Sequence, residues 1–199
     1  MEKLDFRRVD TEYGFNSAFS IKNAGQCVAM ARQHLVESGN ITDESFYEYY
    51  KSKNVFNEDG FKHALKISEV YFNESYDVEK QLRAYFYKRL ISDTVTGFIY
   101  EVKSADKIRD VFGLDVTYAS VHIDNEYSVD LETKLFGVQV KPKSYTYSNP
   151  NNIKLQRDQK RNLANHKKYE AKFGKPVMFV YYEKRSEMIN IKEIQKYLK

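Results

Sequence analysis

Two spacings of apolar residues divide the chain. From about residue 22 to residue 110 these residues recur every three or four positions, as at Val28, Ala31 and Leu35, and this is the period of an amphipathic helix. After Gly113 they alternate with polar residues, which is typical of half-buried strands. The pattern therefore predicts a helical first half and a second half that contains a β-sheet.

Polar and glycine-containing segments mark the ends of the predicted helices. In "ESGNITD", Gly39 can end one helix, and Thr42 or Asp43 can cap the next. Further breaks are expected near "NEDG" and "NESYD". A longer helical stretch follows, in which Gly97 either divides the helix or allows another helix to pack closely.

Three alternating segments come next and predict an antiparallel meander. They are "VTYASVHI", "YSVDLET" and "LFGVQVKPKS", with turn signals between them. Residues 152–172 return to a helical period that Gly174 ends, and "PVMFVYYEK" has the composition of a buried strand. A short helix is expected at about residues 191–198. The order helix, three strands, helix, strand predicts an α/β fold.

The net charge of +4 is unevenly distributed along the chain. Residues 1–100 hold 13 Lys and Arg against 15 Asp and Glu, whereas residues 101–199 hold 19 against 13. A local positive field of this kind attracts polyanions such as nucleic acid. The second half of the chain is therefore where a nucleic-acid contact is expected.

The predicted helix of residues 152–172 carries much of this basic charge. Five of its side chains recur at helical spacing, so they can line one face and follow a phosphate backbone. They are Lys154, Arg157, Lys160, Arg161 and Lys168. The alternative is a solvated amphipathic helix that packs on the sheet through Leu155, Leu163 and Phe173, and both interpretations can hold at once.

Several classes of protein are disfavoured by the sequence. It has no run of about 18 or more apolar residues and no signal-peptide pattern, so we expect a cytoplasmic protein without membrane association. The single cysteine, Cys27, cannot form an internal disulfide and is predicted to pack in a core. The histidines lack the spacing of a zinc site, and no P-loop, dinucleotide-binding or GxSxG motif occurs.

An acid, an amide and an ammonium group are predicted to lie close together on two adjacent strands. Asp130 belongs to the second strand of the meander, and Gln139 and Lys141 occupy alternate positions of the third. Alternate residues of a strand share a face, so these two side chains can project to one side while Val138 and Val140 face the other.

These residue types suit metal-assisted hydrolysis of a phosphodiester. Mg²⁺ prefers oxygen ligands, which Asp130, the Gln139 amide and the Val140 carbonyl can provide, together with Glu101 from the preceding apolar helix. Lys141 can orient or help to deprotonate the attacking water and reduce the charge of the transition state. Glu101 has a simpler interpretation as a solvent-facing helix residue, and Glu132 is an alternative acid that ranks behind it.

The helical Glu101, the strand with Asp130 and the sequence "QVK" together resemble the PD-(D/E)XK nuclease superfamily, whose core is αβββαβ. The resemblance implies that the acids bind a divalent metal, Mg²⁺ with Mn²⁺ as a possible substitute, and that Lys141 assists the water. The chain departs from the pattern at Val129, which replaces the proline, and at Gln139, which replaces the acid. Glutamine at this position also occurs in Mrr-like members of the superfamily.

Four segments resemble the MjaI-like type II restriction endonucleases more narrowly. They are "GQCVAMARQHLVESG", "ISDTVTGFIYEVKSADKI", "VDLETKLFGVQVKPKSY" and "KPVMFVYYEK". The resemblance implies a homodimer that cleaves double-stranded DNA at a short specific site, with a cognate DNA methyltransferase as a possible partner. Residues 1–77 would then form a helical region for DNA contact or dimerisation, and residues 78–199 the nuclease core.

Other interpretations stay open. The chain can be a structure-specific or repair-type nuclease of the same superfamily, or a DNA-binding protein in which Gln139 marks a lost active site. Three residues beyond the catalytic strand, Lys143, Tyr145 and Tyr147, are placed for backbone or base contacts, or they belong to a simple polar loop.

Overall fold

The computed structural model describes residues 4–13, 15, 24–73, 77–146, 152–183 and 195. The chain forms two compact units, residues 1–98 and residues 99–199. The sequence predicts a functional boundary after residue 77, between a region for DNA contact or dimerisation and a nuclease core. That division of function stays a prediction.

The first unit is helical, as the apolar period predicts. Its first helices are α1 (Phe6–Tyr13), α2 (Ala24–Ser38), α3 (Asp43–Ser52), α4 (Glu58–Tyr71) and α5 (Val78–Tyr87). Gly39 follows α2 with φ 73° and donates its N–H to the Leu35 carbonyl. Thr42 caps α3, because its side chain accepts the N–H of Ser45 while the Ser45 hydroxyl accepts the N–H of Thr42.

The long helical stretch changes its winding before Gly97. Residues Lys88–Ser92 form a π-helical segment, and α6 continues as Asp93–Phe112 with Gly97 inside it. Gly97 therefore does not divide the helix. The π-helical turn widens the backbone locally, and it holds Leu90 and Ile91 in the buried part of the unit.

Aromatic side chains fill much of the interior of the first unit. Phe61 packs edge to face on Phe86, with 5.1 Å between ring centroids, and Phe6 packs on Phe72 at 5.2 Å. Cys27 is buried and free. Its prediction as a core residue is confirmed.

The second unit contains a four-stranded sheet in its described part. Its strands are β1 (Thr117–Tyr118), β2 (Leu131–Glu132), β3 (Gly137–Pro142) and β4 (Val177–Tyr182), in the spatial order β1-β2-β3-β4. The first three strands pair antiparallel, as the meander predicts. The β3–β4 pair is parallel, and the chain crosses between these strands through the long helix α8, Ile153–Phe173.

The first predicted strand, residues 116–123, is wrong over most of its length: β1 covers Thr117 and Tyr118, and the chain from Val121 forms a helix, α7 (Val121–Tyr127). Ser120 caps this helix by accepting the N–H of Ile123, and Ser128 ends it with φ 58°. His122, expected on a strand, lies exposed on α7 beside Glu126. A good N-cap and a short apolar run allow a helix where alternation alone favours a strand. The second predicted strand is also too long, because β2 begins at Leu131 and Asp130 lies in a bend just before it.

The two faces of the sheet are packed differently. Val138 and Val140 pack with Ala105 and Ile108 of α6 in one hydrophobic cluster. On the opposite face Tyr169 of α8 joins a second cluster that includes Tyr127 and Val129. The alternation of Val138 and Val140 away from Gln139 and Lys141 therefore has a structural cause, since an apolar helix covers one face of β3.

The sheet-facing side of α8 differs from the apolar one that the sequence suggested. Leu163 is 54% exposed and Phe173 is 38% exposed, so neither is the main contact with the sheet, and Leu155 is half-buried. The residues of α8 that are buried are Asn162, His166 and Tyr169. This part of the prediction is wrong because the helix packs through hydrogen-bonding side chains.

Two features remain: the helix predicted near the C-terminus and the length and polarity of the helices relative to a lipid bilayer. The short helix predicted at residues 191–198 lies outside the described residues, apart from Gln195. Within the described ranges, every helix is too short or too polar to cross a lipid bilayer.

Alanine at Gly137 should destabilise the second unit. A Cβ built there would lie 3.1 Å from Cε1 of Tyr169 and 3.2 Å from Cγ1 of Val129, so we expect Gly137→Ala to lower the free energy of unfolding by about 1–3 kcal/mol. The matched control is Gly97→Ala, since a Cβ at that position would have no neighbour within 4 Å among the described residues outside its own helix, and a helical alanine should add about 0.5–1 kcal/mol. Urea unfolding followed by circular dichroism measures both, and equal effects would contradict the prediction.

Candidate active site

The carboxylate of Asp130 is fixed against the backbone of β3. Asp130 is 7% exposed, and its Oδ2 accepts the N–H of Val140 at 2.7 Å. Its own N–H donates to the Val138 carbonyl at 2.8 Å. Because Val140 lies between Gln139 and Lys141, these bonds bring the acid to the strand that carries the amide and the lysine.

Gln139 buries a polar atom that has no hydrogen-bond partner among the described residues. The residue is 2% exposed, and none of the described residues offers a donor within hydrogen-bond distance of its Oε1. A buried acceptor without a partner costs about 1–3 kcal/mol. A bound cation or water at Oε1 would remove this cost, so the position has the property expected of a ligand.

Lys141 follows on the same side of β3 and is half-buried. In the parallel pairing it lies opposite Tyr181 of β4, and Gln139 lies opposite Phe179. The amide is therefore deep in the protein while the ammonium lies nearer the solvent-exposed end of the strand. This arrangement lets Lys141 reach a substrate that approaches from solvent.

Glu101 is a buried residue of α6, with 8% exposure. It lies one turn before Ala105, whose cluster includes Val140, and Ser104 beside it is also buried. The interpretation of Glu101 as a solvent-facing residue is therefore wrong. A carboxylate is rarely buried unless other groups stabilise it. The burial of Glu101 is therefore what a ligand in the candidate site requires.

The donor set near Asp130 fits a hard cation only if non-acidic ligands take part. Across the described residues, no three His, Cys, Asp or Glu side chains cluster in a way that could hold a metal ion. Mg²⁺ however accepts amide and backbone carbonyl oxygens and keeps several waters. A magnesium site here would therefore combine the carboxylates with Gln139, whose buried oxygen fits that purpose.

His166 of α8 also belongs to this region. Its Nε2 lies 3.3 Å from the carbonyl oxygen of Ser128, and because a carbonyl only accepts, Nε2 carries the proton. Its ring lies 4.9 Å from that of Phe179. Burial lowers the pKa of His166, and the charge of Lys141 lowers it further, while the bond to Ser128 acts in the opposite direction. The imidazole is thus uncharged at neutral pH and lies within electrostatic reach of Lys141.

Comparison with known proteins identifies the family. A model of the MjaI restriction endonuclease family matches residues 15–195. The chain belongs to the MjaI restriction endonuclease family. This confirms the resemblance drawn from the sequence and means that the chain is related to nucleases that act on DNA. A search of curated proteins and a search of solved structures gave no significant match.

Tyr145 and Lys143, which the sequence predicts to contact DNA, interact with other residues of the protein. Tyr145 lies in a 3₁₀ turn, Lys143–Thr146, and its ring lies 5.6 Å from that of Phe179. Lys143 forms an ion pair with Glu183. Burial raises the pKa of Tyr145. Their role in DNA binding stays a prediction, and Tyr147 lies outside the described residues.

The outer side of α8 carries the basic stripe that the helical spacing predicts. Four of its residues are exposed. They are Arg157, Lys160, Arg161 and Lys168. Arg161 pairs with Asp158 at 3.1 Å, and Lys154 lies within the helix although its side chain is outside the described set. The stripe faces away from the buried residues of α8, so it is available to a polyanion.

The alternative acid, Glu132, has a structural partner. Its Oε1 accepts the hydroxyl of Tyr169 at 2.7 Å, and burial together with this bond raises the pKa of Tyr169. Glu132 is thereby held towards α8. Glu132 therefore stays a weaker candidate for a metal ligand than Glu101.

Sequence reasoning missed His166 and Asn162. The histidines lack metal-ligand spacing, and the basic and apolar residues of the helix do not single these two out. A usable signal was present, since Asn162, His166 and Tyr169 recur at three-to-four spacing and place hydrogen-bonding groups on one helical face. Such a polar face on a helix between two buried strands indicates a polar site beneath it.

Leucine at position 139 should leave the fold intact or stabilise it. Gln139→Leu has a similar volume and removes the buried acceptor, so we expect the free energy of unfolding to stay constant or rise by about 1 kcal/mol. Chemical unfolding in EDTA measures this without interference from metal. A loss of more than about 1 kcal/mol would show that Gln139 supports the fold through its amide instead.

Proposed function

We propose that the protein is a Mg²⁺-dependent type II restriction endonuclease that hydrolyses double-stranded DNA at a short specific site. The observation that carries the proposal is the bond from the Val140 N–H to Asp130, which sets an acid beside Gln139 and Lys141 in a member of a restriction endonuclease family. The proposal accounts for three buried polar residues that a purely apolar core would lack: Asp130, Gln139 and Glu101.

The order of elements supports a PD-(D/E)XK core. Helix α6 is followed by the antiparallel strands β1 to β3, by α8, and by β4 parallel to β3. This is the order αβββαβ, with α7 as an additional helix between β1 and β2. In such a core the acid and the lysine come from adjacent strands; here Asp130 lies directly before β2, and Lys141 lies in β3, the strand that pairs with β2.

Asp130, Glu101, Gln139 and the Val140 carbonyl would hold the metal, with Mn²⁺ as a possible substitute for Mg²⁺. When bound, the ion supplies Lewis-acid stabilisation of the phosphodiester under attack. The Val140 N–H keeps the Asp130 carboxylate in one orientation, so less ordering is needed when the ligands assemble.

Lys141 would act on the attacking water and on the charge that develops at the phosphate. Its ammonium can accept no hydrogen bond but can donate three, so it orients a water through the water oxygen and stabilises a negatively charged phosphate oxygen. Its position at the more exposed end of β3 allows both contacts.

The basic stripe on α8 would bind the DNA backbone, with Lys143 and Tyr145 contributing near the cleaved bond. A homodimer would match the two-fold symmetry of a palindromic site, as two-fold DNA-binding proteins do. Residues 1–77 would contribute to dimerisation or to DNA contact. A methyltransferase with the same specificity would protect host DNA.

Cleavage of long DNA tests the proposal directly. Purified protein with phage-length DNA and Mg²⁺ should give discrete fragments, and EDTA should prevent their formation. Lys141→Ala should lower the single-turnover rate by about 10²–10⁴-fold, and Asp130→Asn should abolish detectable cleavage. Sequencing of the fragment ends then gives the recognition site.

Lys134→Ala is the matched control, because Lys134 is an exposed lysine in the turn before β3, at the opposite end of that strand from Lys141. It should cleave at the wild-type rate. A uniform smear would favour a nuclease without sequence specificity, and intact DNA in Mg²⁺ and Mn²⁺ with retained DNA affinity would favour a binding protein.

Removal of charge from the stripe should weaken DNA binding in a salt-dependent way. For Arg157→Ala with Lys160→Ala, the negative slope of log K against log salt should become less steep by about 2, because two phosphate contacts are lost. Fluorescence anisotropy in EDTA, with Lys134→Ala as the control, measures the slope. An unchanged slope would show that the stripe does not contact phosphates.

A further inference from the structure

Helix α8 bonds to both segments that flank the candidate catalytic residues. Four side chains on its sheet-facing side make these bonds, and we name them the polar clamp. They are Gln159, Asn162, Asn165 and His166. Two bind Tyr145, which follows Lys141 by four residues, and two bind Ser128, which precedes Asp130 by two.

The first pair holds the turn after β3. Gln159 Nε2 donates to the Tyr145 carbonyl at 2.6 Å, and Asn162 Nδ2 donates to the Tyr145 hydroxyl at 2.9 Å. Asn162 is 4% exposed. Its bond is therefore sheltered from competing water, where a hydrogen bond is stronger than at the surface.

The second pair holds the segment before β2. Asn165 Nδ2 donates to Ser128 Oγ at 3.1 Å, and His166 Nε2 donates to the Ser128 carbonyl at 3.3 Å. Ser128 has a left-handed backbone with φ 58°, a conformation that a residue other than glycine keeps only where its surroundings fix it. The clamp supplies two such restraints at the point where the chain turns towards Asp130.

Additional restraint is needed because the pairing between the two catalytic strands is short. Strand β2 has two residues, Leu131 and Glu132, and they pair with Val138 and Gly137. The Asp130 carboxylate reaches further along β3, to Val140. The backbone pairing ends with the bond from the Asp130 N–H to the Val138 carbonyl, so it does not restrain the segment before Asp130 or the turn after β3, whereas a helix bonded to both flanking segments does.

We propose that the polar clamp holds Asp130 and Lys141 in their reacting arrangement, and that His166 and Asn162 are positioning residues for DNA cleavage. The inference about cleavage rests on the proposed nuclease function, but the inference about geometry does not. A neutral imidazole also suits this place, since a protonated His166 would add a second positive charge near Lys141.

The test compares three variants of the full-length protein. His166→Leu removes the donor to Ser128, His166→Gln keeps a side-chain N–H donor, and Leu163→Asn changes an exposed residue of the same helix that is not part of the polar clamp. Two quantities are measured: hydrogen exchange of the Val140 amide by NMR, and single-turnover cleavage of DNA alongside the DNA dissociation constant in EDTA.

We expect His166→Leu to speed exchange of the Val140 amide by about tenfold and to slow cleavage by about tenfold, while the DNA dissociation constant stays within about twofold of wild type. His166→Gln should restore most of both losses, and Leu163→Asn should match wild type. Wild-type exchange at Val140 in His166→Leu, or an equal loss in His166→Gln, would overturn the proposal.

The exchange measurement separates this inference from the nuclease proposal. If wild-type protein does not cleave DNA, the proposed function fails, yet faster Val140 exchange in His166→Leu would still support the clamp. If His166→Leu does not fold, Asn162→Leu and Tyr145→Phe replace it, because both remove the bond between Asn162 and the Tyr145 hydroxyl. The clamp then requires the double variant to speed exchange no more than either single one, and additive effects would overturn it.

Discussion

One hydrogen bond, from the Val140 N–H to Oδ2 of Asp130, determines the geometry on which the candidate site depends. It sets the acid between an amide and an ammonium group that the alternation of β3 already projects to one side. Backbone pairing with β3 ends at Asp130 and leaves the segment before it to other restraints. The remaining restraints come from α8, whose polar side chains bond to the segments before and after the two strands.

The two faces of β3 have different surroundings. On one face Val138 and Val140 pack with α6, and burial of such apolar side chains stabilises the unit. The other face buries Gln139, whose oxygen has no donor in the ranges described, and lies beneath the polar side of α8. Buried polar groups of this kind destabilise a fold unless they have hydrogen-bond or ion partners. The packing of the apolar face offsets this cost.

The sequence was sufficient for features that arise from local spacing. The placement of Gln139 and Lys141 on one side of β3 follows from strand alternation, and the helices of the first unit follow from their apolar period and caps. The position of Asp130 beside Val140 does not, because Asp130 lies just before β2 and is held by the bond from the Val140 N–H. Helix α7 was missed because "VTYASVHI" alternates like a strand while Ser120 caps a helix within it. The spacing of Asn162, His166 and Tyr169 indicates a polar face on α8, but the partner of His166 could not be predicted, since Ser128 lies 38 residues earlier in the chain and only the fold brings the two together.

An amide at position 139 changes when a metal would enter the proposed site. If Asp130 and Glu101 are the acidic ligands, as proposed, the side chains would carry two formal negative charges and would neutralise a divalent ion without an excess. A DNA phosphate brings a further negative charge, so the nucleic acid and the ion strengthen each other's binding, as linked equilibria require. Such an enzyme would bind little metal while free of DNA, and its metal site would be completed only when DNA is bound.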